Sequence, residues 1–437
     1  MKMALIHHAS KSCTKSELDL ASIPFTQTTI EGNKLIEIRP VTSITQNSAI
    51  DFFISSSTDE ILDLNSTRLK ITLKIVKGTG GNYTDDDTVN KIGPINYLLG
   101  GLFSQVDVTF GDKLVSSLQN YDYLSYIETL LSHSEDVKKN YLGAVGFIQD
   151  PDSTDNFNKR TQLTKGSSDF TLYGPLHNDV FRSCRSIISS VDVKIRLSPN
   201  KPEFLIQCAP PVGQGAAPAD SNPRIIITDI SLYVLKLKPS ANALLLQENF
   251  LHSNNAKYPV TRNALKTHVI PTGQSSANIA NLYLGQSLPH RLFVAFVSHA
   301  SYNGSYESNP YEFKNFGINF LALSVNGVQY PLKPYTPNFE NGDFVREFAE
   351  LYNTLGGTDL GLSLSTFKKD CCIFSFDLTP DRSGAQDLHY SLAQGGTLGL
   401  EVRFKQALGA PITLLSYSQK HSVLEINAYR NVLIDAL

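Results

Sequence analysis

The residues of this chain best suited to chemistry are ten histidines, five cysteines and a few acidic clusters, and their spacing limits what they could do. Cys372 and His389 are candidates for nucleophile and base, yet nothing in the sequence brings them together. Lone cysteines and histidines in a strand-rich chain are more often packing groups than catalysts. His7 and His8 are adjacent but lack the further ligands a metal site needs. Asp85-Asp86-Asp87 offers carboxylates without the alternating spacing and glycine of a calcium loop, and reads as a solvated loop tip. Gly213-Gln214-Gly215 is followed by Pro218 where a dinucleotide-binding loop would carry glycine. No Gly-Lys pair, no His-Glu pair and no Gly-x-Ser-x-Gly elbow occurs, so the phosphate-loop, zinc-protease and hydrolase-elbow patterns are missing. The sequence therefore assigns no catalytic, cofactor-binding or metal residue, implies no cofactor, and reads as a protein that is not an enzyme.

The cysteines point the same way. Cys13, Cys184 and Cys208 are isolated and Cys371-Cys372 are adjacent, an odd count without a Cys-x-x-Cys pair. Reduced and mostly packed thiols are expected. A net charge of −3 does not suit a protein that grips nucleic acid with its general surface. The first twenty residues hold no apolar stretch of signal-peptide length, and the longest apolar run, around 292–297, is strand-sized. Synthesis inside a cell, with no membrane partner, is the expectation, which leaves the sequons at Asn65, Asn82 and Asn303 without consequence.

What positions the side chains is an alternation of period two. In Leu69-Lys70-Ile71-Thr72-Leu73-Lys74-Ile75 the odd positions are apolar and the even ones polar, and 191–197 and 398–404 follow suit. Successive strand side chains face opposite ways, so each such strand buries one face and wets the other, as in antiparallel sandwiches. At 437 residues with 41% hydrophobic content, the chain can bury two cores rather than one.

An internal repeat supports the same division. LFSQVDVTFGDKLVSS followed by YDYLSYIETLL in the first half resembles INFLALSVNGVQYPL followed by GDFVREFAELYNTL in the second. Each is a strand, a glycine-containing hairpin turn, a second strand and an amphipathic helix expected to begin at an aspartate, Asp122 or Asp343. The apolar stripes Tyr123, Ile127, Leu130 and Phe344, Phe348, Leu351 share one spacing, which would align Asp122 with Asp343 and Ile127 with Phe348. Counting outward gives eight strands per half. They are expected at 34–39, 50–54, 68–76, 103–110, 114–117, 169–173, 189–197 and 224–237, then at 258–270, 279–284, 291–298, 318–325, 328–332, 371–378, 397–405 and 413–434, the last interrupted. The fold class is all-β: two tandem eight-stranded antiparallel jelly rolls, each with a short flanking helix. The divisions are an N-terminal arm over 1–27, a first jelly roll over 28–238 and a second over 239–437, with 209–223 a loop inside the first. Loops 78–92 and 299–313, each joining a third strand to a fourth, are expected to share one end of the molecule and to face water.

Long stretches of the chain resemble the major capsid protein of Polinton/Maverick elements and adintovirus-like viruses. They are KSELDLASIPFTQTTIE at 15–31, NYLLGGLFSQVDV at 96–108, IETLL at 127–131, KYPVTRNALKTHVIPTGQ at 257–274, NPYEFKNFGINFLALSVNG at 309–327, FDLTPD at 376–381 and EINAYRNVLID at 425–435. The likeness weakens in the loops 78–92, 132–165 and 358–370. The resemblance implies a double jelly roll assembling as a homotrimeric pseudo-hexagonal capsomer that tiles an icosahedral shell around double-stranded DNA. It further implies itself, penton and minor capsid proteins as partners, no sequence-specific nucleic-acid binding, and residence in the virion. Two other readings stay open from the residues: a host-domesticated capsid-like protein, and a jelly-roll carbohydrate-binding protein, the latter weakened by the absence of tryptophan.

Overall fold

The alternation becomes sheets with one dry face. Leu69, Ile71, Leu73 and Ile75 are fully buried, while Lys70, Thr72 and Lys74 between them keep partial access to solvent. The computed structural model describes residues 7–434 apart from 12, 14, 45–47, 89–90, 149–152, 209–221, 286 and 387–388. Most of the loop expected at 209–223, with Gly213 and Gly215, lies outside the described residues.

In the first half the strands are β1 (Ile30–Ile38), β2 (Ile50–Ile54), β3 (Ile61–Val76), β4 (Ile92–Pro94), β5 (Phe103–Phe110), β6 (Lys113–Gln119), β7 (Phe170–Pro175), β8 (Val193–Pro199), β9 (Ile206–Cys208) and β10 (Arg224–Pro239). They form two four-stranded antiparallel sheets, ordered β1-β10-β3-β7 and β2-β8-β5-β6, with β4-β9 a small ribbon. In the second half come β11 (Ala256–Ile270), β12 (Ser276–Gly285), β13 (Arg291–Ser298), β14 (Ile318–Val325), β15 (Val328–Tyr335), β16 (Ile373–Asp377), β17 (Gly396–Phe404), β18 (Ile412–Ile426) and β19 (Val432–Ile434). Their sheets are β11-β18-β13-β16, extended by β19, and β12-β17-β14-β15. If the ribbon and β19 are set aside, both halves put strands one, eight, three and six of the half in one sheet by rank of use, flanked alike by an outer first strand, and strands two, seven, four and five in the other. That is jelly-roll order twice over.

The inner faces supply the cores. Val106, Val108 and Phe110 of β5 and Val193, Ile195 and Leu197 of β8 oppose the apolar face of β3, and Leu321, Leu323, Leu398, Leu400 and Val402 repeat the arrangement in the second half. Strands stand at every expected position, including the interrupted last one. β10 ends at Pro239, and the helix Ala241–Leu251, with the Ser240 hydroxyl accepting from the N–H of Ala243, carries the chain to β11.

Four expectations need correction. Helices are more numerous than the sequence pattern suggested, with Ser153–Leu163 and Ala241–Leu251 added to the two in the repeat. Neither aspartate caps its helix. Asn120, in left-handed conformation, precedes Tyr121–Ser132, and Asp122 lies inside the first turn, where its carboxylate accepts from the N–H of Tyr123 at 2.8 Å and from Asn200 at 2.7 Å. Asp343 stands before Val345–Thr354 and exchanges backbone hydrogen bonds with Asn338 at 2.7 and 3.0 Å, which ties it to the preceding turn. The thiols are not mostly packed: Cys371 and Cys372 are buried, Cys208 is half-buried, and Cys13 and Cys184 are exposed. The connection 299–313 is not a wet loop, since Tyr311 and Phe313 are buried and Tyr302 and Tyr306 half-buried. Its aromatic residues pack against the first half. In 78–92 the tip residues Asp85 and Asp86 are exposed, but Tyr83 and Thr88 are buried beneath them.

Candidate functional site

The sequence's catalytic candidates do not assemble. Cys372 is fully buried, and burial pushes its thiol well above the usual range, so it offers no thiolate. His389 is on the surface with Asp381 and Ser383, a trio the sequence reading did not single out. Its Nε2 is 3.2 Å from Asp381 Oδ2 and 3.3 Å from the Ser383 hydroxyl, which itself donates to Asp381 Oδ1 at 2.7 Å. In a Ser-His-acid relay the acid binds one ring nitrogen and the serine the other. Here both crowd the same nitrogen, and Asp381, drawn down to about 2 chiefly by the Ser383 hydrogen bond, is an exposed turn anion. Asp85 pairs with Lys165 at 3.1 Å and Asp87 accepts from Thr84, so two of the three carboxylates are engaged in local structure. Among the described residues no group of three or more His, Cys, Asp and Glu could hold a metal ion. No helix among them is long and apolar enough to cross a membrane.

The concentrated polar chemistry lies instead in the seam between the two sandwiches, built on the helix Tyr121–Ser132. Nearly every side chain of that helix is buried. Glu128 accepts from His177 Nδ1 at 2.9 Å and from Asn263 Nδ2 of β11 at 3.1 Å, and pairs with Arg182. Burial alone would raise its carboxyl, but the Arg182 charge and the His177 hydrogen bond hold it below the usual range. The other ring nitrogen of His177 meets the Tyr97 hydroxyl at 2.7 Å and Thr129 at 3.2 Å. Asp179 accepts from the backbone N–H of Asn263 at 3.0 Å and contacts Arg262 Nη1 at 3.5 Å. Burial pushes its carboxyl up to about 6 against those two partners. Arg262 also donates to the carbonyl of Val115 on β6 at 2.9 Å. Further along, Arg185 donates to the Lys257 carbonyl at 2.6 Å, the Tyr258 hydroxyl accepts from the N–H of Ile188 at 3.1 Å, and Arg430 donates to the Ser189 carbonyl at 2.9 Å. Lys138, buried and lowered to about 8 by that burial, donates to the carbonyls of Leu130 and Leu360 and so joins both halves.

Aromatic packing closes the seam. Tyr126 stacks on Tyr311 with ring centroids 4.0 Å apart and planes within 3°, and Tyr123 stacks on Tyr302 at 5.7 Å. The Tyr302 hydroxyl donates to Asn120, and that of Tyr311 to the carbonyl of Asp122. Gly100 makes room for the helix: a methyl group there would lie 2.2 Å from the Tyr97 ring and 2.5 Å from the Ser125 hydroxyl. Asp122 sits beside this aromatic cluster, and burial raises its carboxyl to about 7. Hydrogen bonds, ion pairs and stacked rings thus join the two halves, with the buried Tyr123 hydroxyl and Arg262 Nη2 left without a hydrogen-bond partner.

Comparison with solved structures covers the whole chain. A chain of the Sputnik virophage, solved by cryo-electron microscopy, matches with a TM-score of 0.66 at 13% identity over 100% of this chain and 95% of its own. The major capsid protein of mavirus matches at 0.55 and 12%, over 100% and 96%, and that of Faustovirus at 0.57 and 10%, over 95% and 92%. The fold is the double jelly roll of viral major capsid proteins. By sequence, an uncharacterized protein of Caenorhabditis elegans is 23% identical over 434 residues, 95% of this chain and 100% of the worm protein. No family model matches. The double jelly roll therefore extends across nearly the whole chain, and the seam is the joint between its two rolls.

Proposed function

We propose that this chain is the major capsid protein of an icosahedral DNA virus or of a virus-like element of the Polinton/Maverick kind. The carrying observation is one strand order repeated in two sandwiches locked side by side, in a chain that matches capsid proteins from end to end. Three such chains supply six like domains, which suit a pseudo-hexagonal tile, and closed threefold symmetry limits the assembly to one block. On this reading an arm over 1–27, a first jelly roll over 28–238 and a second over 239–437 make the protomer. The homotrimer tiles a shell around double-stranded DNA with penton and minor capsid proteins as partners, and the protein resides in the virion. The exposed tip at Asp85 and Asp86 belongs to the outer surface. The chain acts structurally, without catalytic, cofactor or metal residues. A full-length relative in a nematode fits a gene resident in an animal genome. Negative-stain images of the purified protein test the reading: trimeric capsomers or shells are expected, and a population of isolated two-lobed particles would overturn it.

A further inference from the structure

The chain holds three Asn-Gly pairs, Asn303-Gly304, Asn326-Gly327 and Asn341-Gly342. Such a pair can react with itself, because glycine has no side chain to shield its backbone nitrogen from the asparagine's amide carbon. What restrains the reaction is any partner that holds the side chain or the nitrogen, and the fold treats the three pairs differently.

Two of them are tied down. At the turn between β14 and β15, Asn326 Oδ1 accepts from the N–H of Thr397 at 2.8 Å and its Nδ2 donates to the carbonyl of Gly395 at 3.2 Å. The side chain lies flat on Gly396, where a methyl group would stand 1.8 Å from Oδ1. Asn303 Nδ2 meets His299 Nε2 at 3.0 Å, and the N–H of Gly304 donates to the Ser301 carbonyl at 3.2 Å. Gly304 is also packed on the backbone of Glu203 and Phe204. Reaction at either pair must first break these contacts.

Asn341 and Gly342 are both exposed, at the tip of the loop between β15 and the helix Val345–Thr354. The base of that loop is held by the two backbone bonds between Asn338 and Asp343 and by the stacked rings of Phe339 and Phe344, 5.2 Å apart. The tip is not. The backbone N–H of Asn341 donates to Asn338 Oδ1 at 3.3 Å, but among the described residues no hydrogen bond engages its side-chain amide or the N–H of Gly342. Gly342 has a φ of +81°, and nothing lies within 4 Å of the place a Cβ would take.

We propose that Asn341-Gly342 is a site of spontaneous deamidation, which changes the charge of this surface as the protein ages. The nitrogen of Gly342 gives up its proton to water and attacks Cγ of Asn341. The new C–N bond closes a succinimide, and the side-chain nitrogen leaves with a proton as ammonia. Water then opens the ring, at the side-chain carbonyl to give aspartate or at the backbone carbonyl to give isoaspartate. Each event adds one negative charge to a net charge of −3, between Glu340 and Asp343. Glu340 is already paired with Lys405, so that cation is shared between more carboxylates. Isoaspartate also lengthens the backbone by a methylene inside a loop closed at its base.

The test incubates the full-length folded protein in mildly alkaline buffer made with heavy-oxygen water and follows the three pairs by peptide mass spectrometry. Asn341 should take up the label first, at least about tenfold faster than Asn326 or Asn303, which must give up hydrogen bonds to react. In denaturant the three rates should converge. An Asn341 that keeps its amide while Asn326 or Asn303 converts, or three equal rates in the folded protein, overturns the proposal. A second measurement uses ion exchange on Asn341→Gln, whose longer side chain closes the ring far less readily. The earliest acidic species of the aged parent should be missing from the variant, and its persistence there overturns the assignment.

Discussion

Tyr121–Ser132 and Val345–Thr354 occupy one slot in the topology, between the fifth and sixth strands of their jelly rolls, yet they live in different surroundings. The first is drawn into the seam, where Glu128 gathers a cation, an imidazole and an amide from around it. The second lies on β16, with Leu351 and Thr354 turned inward and Val345, Arg346, Ala349 and Asn353 in water. Its Glu350 reaches only the half-exposed Arg382. The difference teaches that duplication fixes where an element stands in the chain, while its neighbours decide what it is for. One copy serves the joint within the chain, and the other keeps its outer face free.

The largest effect should come from unpairing the seam. Glu128→Ala leaves Arg182 and His177 without their buried anion, and breaking such a pair costs about 3–5 kcal/mol. A large fall in melting temperature is expected for the purified chain; a change of a degree or two would show that the seam is not what binds the halves.

Asp122→Asn sharpens the same point through pH. Burial raises the folded-state carboxyl to about 7 from 3.8 in the unfolded chain. The fold therefore holds the proton more tightly. The stability this lends is fully present below the unfolded value and is lost as pH rises through the folded one. At about 1.4 kcal/mol per unit, the loss across that window is on the order of a few kcal/mol. The variant should lose stability less steeply than the parent between pH 4 and 7, with Asp179, raised to about 6, contributing a remaining slope of the same sign. Denaturant melts at several pH values decide it, and parallel profiles for parent and variant would refute it.

Gly100→Ala tests how closely the first helix is held. The added methyl meets the Tyr97 ring, and overpacking of this kind costs about 1–3 kcal/mol. At the small end, Glu350→Gln removes a partly exposed ion pair and should change stability by less than about 1 kcal/mol. If Glu350→Gln proved as costly as Glu128→Ala in chemical denaturation, the contrast between the two helices would fail.

Much of the fold was legible because strand faces announce themselves. Leu69, Ile71 and Leu73 alternate with Lys70 and Thr72 in the sequence as they do in the sandwich, so strand positions and order could be counted. The repeat was legible for the same reason. The helix starts were not, because Asp122 and Asp343 look like capping residues until Asn200 and Asn338 are seen to engage them. Nor was the packing of 299–313: Tyr302, Tyr306 and Tyr311 among Asn, Ser and Glu read as a wet loop, and only the other jelly roll's Tyr123 and Tyr126 make them a core. The seam itself joins Glu128 to Asn263 and Asp179 to Arg262, pairs far apart in the chain that no local pattern relates.

The central claim is that this chain is two like jelly rolls fixed side by side by the seam around Tyr121–Ser132. A cryo-electron microscopy map of the purified protein tests it most directly. The account predicts two like jelly rolls in each chain, held in one fixed relation with Tyr121–Ser132 set against β11. Jelly rolls that take variable positions in the chain, or that meet through other faces, would contradict it.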